Sequence, residues 1–302
     1  MPDFIPMTAI LFLFYTIFLG QIFYLSIYIP GKICSRVEYV MEQFPPEEYP
    51  KLYPSPYDRF AEESGKRKLR IFKGINYAIA IIGLVILQQM IMSDYRPAAQ
   101  GGDEIFVLLY FFLQFIPIGY AQLKEYMQYK LMRATFTSKK RTADLSPRRL
   151  FDFVSPVYVG VAVVAYVGWL YMYLLSRDFG GQPHWEIYLT VFGMSGVQIM
   201  FVVNIARTLM GKKENPYQSY ADQLRQIGAV IKIMLFASIG MSVFLTITQL
   251  VDQYDLEVFD PVLSSLYFQF CAVFGVGFAF KTMQVEKADF EVYRDDSAGA
   301  SS

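Results

Sequence analysis

The sequence predicts an all-α, polytopic membrane protein. It has seven transmembrane helices, an outer amino terminus and an inner carboxyl terminus, built as one helix followed by three parallel two-helix repeats. Three observations carry this. Of 302 residues, 54% are hydrophobic and only 18% are charged, below the roughly 25% of a soluble domain. The charges gather between apolar stretches, each long enough to cross a hydrocarbon core about 30 Å thick. Lys and Arg fall almost wholly on one side of those stretches.

The first stretch, 5–29, is expected to be a retained helix. Met1-Pro2-Asp3-Phe4 carries no base, the apolar run is too long for a signal h-region, and no A-x-A site follows. The second, 71–92, has a basic lead-in, Arg67-Lys68-Leu69-Arg70, and closes on Asp94. The third, 105–123, runs into Lys124–Met132, a polar segment expected to extend the helix beyond the membrane; Arg36–Gln43 is expected to do the same for the first. The fourth, 153–176, follows Arg148-Arg149 and closes on Asp178. The fifth spans 186–206. The sixth, 227–250, follows Arg225 and closes on Asp252; the seventh spans 261–281. Loops 30–70, 124–152 and 207–226 fall on the inner side. Five prolines within 44–56 exclude a regular helix there. Residues 295–302 read as a disordered polar tail, leaving 1–294 as one transmembrane domain.

The outer loops 94–104, 177–185 and 251–260 carry, with their borders, only Arg96 and Arg177 of the 27 bases. That asymmetry sets the orientation. No N-x-S/T sequon occurs, which favours a bacterial inner membrane. Cys34 and Cys271 fall at different depths and are expected to be free thiols.

An internal period underlies the spans. Helices 1, 3, 5 and 7 each hold one Gln near mid-membrane: Gln21, Gln114, Gln198 and Gln269. Helices 2, 4 and 6 share the basic lead-in and the acidic close. Ser55-Pro56-Tyr57-Asp58-Arg59-Phe60-Ala61-Glu62 aligns without gaps to Asn215-Pro216-Tyr217-Gln218-Ser219-Tyr220-Ala221-Asp222, and Thr137–Asp144 is a weaker third copy. Each Pro is expected to start a short helix capped by Ser55 or Asn215. Tyr57 and Tyr217 would then lie at matching sites near the membrane surface. Glu62 and Asp222 would stand near Arg67 and Arg225. These residues form the predicted docking surface.

The missing chemistry narrows the function. His184 is the only histidine, so bis-His haem and His-rich metal sites are excluded. No nucleophile-His-acid set, P-loop or metal cluster can be assembled. The net charge of zero and the lack of a basic soluble face exclude nucleic acid as a partner. Lys281 lies at the inner end of helix 7, where it snorkels, and cannot serve as a retinal lysine. No ionisable residue lies at the hydrocarbon centre; Lys73, Asp152, Arg207 and Lys232 sit near the inner face. That counts against an ion-coupled pump.

What is left at depth is amide chemistry. Either each Gln bonds across a helix interface, or the four converge on an axis and line a polar path. The first fits a non-catalytic membrane subunit or scaffold without a cofactor, in a homo-oligomer or with other membrane subunits. The second fits a passive channel or carrier. A binder of an apolar cofactor, a quinone or carotenoid, is a third class, permitted by aromatic-rich helices 1 and 3.

Overall fold

The computed structural model describes residues 6–53, 61–93, 95–96, 104–135, 148–176, 185–211 and 213–294. Seven helices in it are long and apolar enough to cross a membrane. We label them α1 (Met7–Gln43), α2 (Ala61–Met92), α3 (Glu104–Thr135), α4 (Pro156–Ser176), α5 (Trp185–Met210), α6 (Tyr220–Gln253) and α7 (260–282). Among the described residues there is no strand.

The apolar windows locate the crossing segments but not the helix ends. α1 and α3 run on into polar sequence, as Arg36–Gln43 and Lys124–Met132 suggest. α2 and α6 also begin earlier than expected, at Ala61 and Tyr220, so loops 30–70 and 207–226 are shorter than their sequence limits. Hydropathy marks where lipid begins. A helix rich in Lys, Arg, Gln and Leu continues past that point, because its backbone bonds are internal and its propensity is good.

Two helices are not uniformly α. α1 contains a π-helical segment, Tyr24–Tyr28, and α7 contains another, Val273–Gly277. In α1 the cause is visible in the sequence. Pro30 has no N–H to donate, and its ring would press on the carbonyl one turn back. A widened turn just before it relieves that conflict.

The helices pack in two groups. α1 lies against α2 and α7, and α3 packs on α2 and α7. Their shared core includes Phe14, Phe18, Ile22, Ile79, Tyr110 and Phe268. The second group is α4, α5 and α6, with Ala162, Ile227, Ile231 and Leu235 at its centre. α6 and α7 join the groups. Burial differs sharply between them: 39% of the most apolar stretch of α1 is buried inside the protein, against 11% for α5.

Candidate functional site

Three of the four predicted glutamines gather in the first group. Gln21 and Gln114 are fully buried. Gln21 Nε2 donates to Gln114 Oε1 at 3.1 Å, and Ser265 Oγ donates to Gln21 Oε1 at 2.6 Å. Gln114 Nε2 donates to Ser26 Oγ at 2.8 Å and to the Gln21 carbonyl at 3.3 Å. Ser26 sits in the π segment of α1. The network thus ties α1, α3 and α7, with both amides satisfied on both ends. An unpaired amide in such a place costs several kcal/mol on apolar-transfer scales. Gln269, half-buried on α7, donates to the Ile17 carbonyl of α1 at 2.9 Å.

Gln198 is elsewhere. It lies half-buried between α5 and α6, where Ser238 Oγ donates to its Oε1 at 2.6 Å and its Nε2 donates to Ser242 Oγ at 3.2 Å. The four glutamines therefore bond at three separate interhelical sites, with only Gln21 and Gln114 joined to each other, and do not converge on one axis. Ser238 and Ser242 stand four residues apart on α6. That spacing puts both hydroxyls on one helix face, opposite one amide. Ser26 and Ser265 carried no sequence signal.

The second assembly is a polar layer at the basic end of the helices. Residues 44–53, 213–225 and 283–294 meet there. The Phe44 and Phe290 rings stack at 3.9 Å. Tyr49 Oη donates to Glu291 Oε1 at 3.3 Å, and Arg294 pairs with Glu48 at 3.6 Å. Asn215 Nδ2 donates to Tyr293 Oη at 2.6 Å. Arg225 donates to Asp222 Oδ1 at 2.5 Å and to the Lys287 carbonyl at 2.9 Å. The backbone N–H of Asp289 donates to Asp222 Oδ2 at 3.0 Å. α3 reaches the same layer: Gln128 Nε2 donates to the Leu52 carbonyl at 2.9 Å, and Arg133 Nε to the Glu214 carbonyl at 3.1 Å. Arg36 donates to the Phe280 carbonyl, with its guanidinium 4.3 Å from the Phe280 ring centroid.

Burial keeps the tyrosines of this layer neutral. It pushes Tyr53 up to about 12, with the Glu47 charge adding to the effect. It also pushes Tyr293 up to about 12; Asp222, Asp289 and Glu125 raise it further, while the Asn215 bond opposes them. Tyr49 is raised first by burial and then by Glu291.

Of the predicted docking residues, Pro56 and Tyr57 lie outside the described residues, as does the Glu62 side chain. The other copy differs from expectation at its helix start. α6 begins at Tyr220, not at Pro216. Asn215 does not cap it; its Oδ1 accepts from the Tyr217 N–H at 3.1 Å and closes a turn. Ser219 is the cap, accepting from the Asp222 N–H at 3.2 Å. A Ser with an acid three residues on is the stronger start signal, and it wins over a Pro in a turn. Asp222 pairs with Arg225 but serves equally as an acceptor for the carboxyl-terminal segment. Tyr217 packs edge-on to Tyr293, with centroids 6.2 Å apart. The sequence pattern missed Phe290, Glu291 and Tyr293, because they lie past the last apolar span and belong to no repeat.

Chemically, the glutamine networks hold neutral amides and hydroxyls, and the polar layer adds amides, phenols and ion pairs that are partly open to solvent. Among the described residues no group of three or more His, Cys, Asp or Glu could hold a metal ion. Cys34 and Cys271 are free thiols. Comparison with protein-family models, curated proteins and solved structures finds no match for this chain.

Proposed function

We propose that this chain is a non-catalytic integral membrane subunit that assembles with copies of itself or with other membrane subunits. Its amino terminus faces outward and its carboxyl terminus the cytoplasm, in a bacterial inner membrane, with the polar layer as a docking platform. One observation carries the reading. All four glycines of α4 and α5, Gly160, Gly168, Gly193 and Gly196, have no other part of the protein within reach of an added Cβ, as do Gly31, Gly74, Gly119 and Gly275 on other helices, whereas no glycine of α4 or α5 is covered from within the chain. Glycine costs a helix about 0.5–1 kcal/mol relative to Ala. In membranes it is usual where another helix approaches closely. Gly83 and Gly240 meet that description inside the chain, against Tyr110 and Phe270. The glycines of α4 and α5 would meet it only against a second molecule.

The amide networks support the same reading over a Gln-lined path, since their polar atoms are bonded to other helices of the chain. The arrangement of one helix plus three parallel repeats, and the orientation, rest on the residue pattern and the asymmetry of the 27 bases. The test is native mass spectrometry of the protein released from its own membrane, beside Gly193→Leu and Gly196→Leu. We expect an assembly that falls apart in both variants while the subunit stays folded. A wild-type protein that is monomeric and alone in native lipid overturns the proposal. Reporters fused to each terminus check the orientation.

A further inference from the structure

The strongest feature outside these assemblies is a cleft of about 350 Å³ between the start of α4, the middle of α6 and the end of α7. Its walls are apolar and aromatic: Tyr158, Leu235, Phe236, Ile239 and Phe278. Phe236 organises them, with ring contacts to Tyr158 at 5.8 Å and to Phe278 at 6.4 Å. One charged side chain lines it, Lys232, and Ser155 lies beside it. Among the described residues no carboxylate pairs with Lys232.

Depth makes the arrangement specific. Lys232 stands five residues inside the apolar segment 227–250, about 8 Å below its edge. Its stem can carry the ammonium up to the headgroup level. The amino end of α4 opens beside it, and the helix dipole adds positive potential. Phe236 and Ile239 follow one and two turns deeper on the same face of α6. The cleft therefore has a cationic mouth at headgroup depth and a greasy floor within the hydrocarbon. A soluble anion would use only the mouth, and a neutral lipid only the floor.

The geometry points to a binding site for one anionic phospholipid, with its phosphate at Lys232 and Ser155 and an acyl chain along Tyr158, Phe236 and Phe278. The site holds whether or not copies of the chain associate. A basic pocket between helices is the general form of headgroup recognition in membranes.

The test is lipid retention. The full-length protein is reconstituted in vesicles of equal parts phosphatidylcholine and phosphatidylglycerol, and the lipids it keeps are counted by native mass spectrometry. We expect phosphatidylglycerol to be enriched about five-fold, the effect of one Lys near an anionic surface. Lys232→Gln should bring the ratio close to one, and Lys232→Arg should preserve it. Lys32→Gln, an exposed Lys on α1 outside the cleft, should leave it unchanged. No enrichment in the wild type overturns the site, even where a variant fails to fold. Equal losses in the Lys232 and Lys32 variants also overturn it, because they would reveal diffuse surface attraction. Displacement of the lipid by inorganic phosphate alone would show that the mouth reads a free anion and not a lipid.

Discussion

Gln21 and Gln198 hold the same place in the sequence, each the single mid-membrane amide of an odd-numbered helix, and they meet different surroundings. Gln21 is sealed among α1, α3 and α7, with Gln114, Ser265 and Ser26 completing the network. Gln198 faces two serines of one helix and is only half-buried. The difference follows from how many helices meet. In the first group three helices enclose the amide, and every polar atom must find a protein partner. In the second, α5 packs chiefly on α6, and most of its surface is left for lipid or another molecule. The same residue type is thus a keystone in one group and a local tie in the other.

The largest expected effect tests whether the first group is as closed as it looks. A Cβ on Gly83 would collide with the Tyr110 hydroxyl and stand 2.9 Å from Ile22. Tyr110 is buried, and its hydroxyl donates to the Ile79 carbonyl at 3.1 Å. Gly83→Ala must push that ring aside and break its bond. It should cost about 3 kcal/mol, combining overpacking with a stranded polar group. Denaturant unfolding in micelles measures it. An unchanged midpoint would mean that the α2–α3 contact is looser than described.

The two amides give the direct comparison. Gln114→Leu leaves Ser26 and the Gln21 side chain short of partners in a dry place, at about 2 kcal/mol. Gln198→Leu leaves two serines that can turn to their own helix, as Ser242 already does toward the Ser238 carbonyl at 3.0 Å. Its cost should be near the average for a membrane hydrogen bond, about 0.6 kcal/mol. Equal costs in the same unfolding assay would erase the distinction between the groups.

Much of this fold could be read from residues alone, and the limits have physical causes. The seven spans follow from apolar length, which is a property of each segment by itself. The importance of Gln21 and Gln114 followed from the price of an amide in hydrocarbon. Their partners Ser26 and Ser265 were hidden, since a Ser in a membrane helix can satisfy itself on its own backbone and carries no sign of a long-range bond. The separation of Gln198 from the others was hidden too. A shared position along four helices says nothing about which helices are neighbours. At the basic end, Pro216 was a weaker signal than Ser219 with Asp222. The carboxyl-terminal segment has neither the length nor the period that pattern reading detects.

Alkaline pH probes the polar layer, which joins the groups outside the membrane. Tyr293 holds its proton in the folded state to about 12, against an ordinary value of 10. Between those values the folded protein binds more protons than the unfolded one. Its contribution to stability is therefore full below pH 10 and is lost as pH rises toward 12. Tyr293→Phe should already be weaker at neutral pH, having lost the bond from Asn215. The gap between variant and wild type, on the order of 1 kcal/mol, should close across that window. Unfolding midpoints at stepped pH provide the check, and a gap independent of pH would show that Tyr293 ionises like an exposed phenol.

The smallest effect tests the second group. Gly196 has open space where a Cβ would go, so Gly196→Ala meets no neighbour within the chain. Ala is also the better helix former, by about 0.5–1 kcal/mol in a helix interior. In a micelle that keeps subunits apart, the variant should be as stable as wild type or slightly more so, the reverse of Gly83→Ala. In native membranes the sign should change. If a second helix rests on Gly196, a methyl group there opens the contact and weakens assembly, and Gly196→Leu weakens it further. The two media separate the causes: the micelle reads helix propensity alone, while the membrane reads propensity and packing together. A variant that gains stability in both would mean that lipid, not protein, covers α5. That result would leave the open glycines without a role and remove the main support for a subunit that assembles through this face.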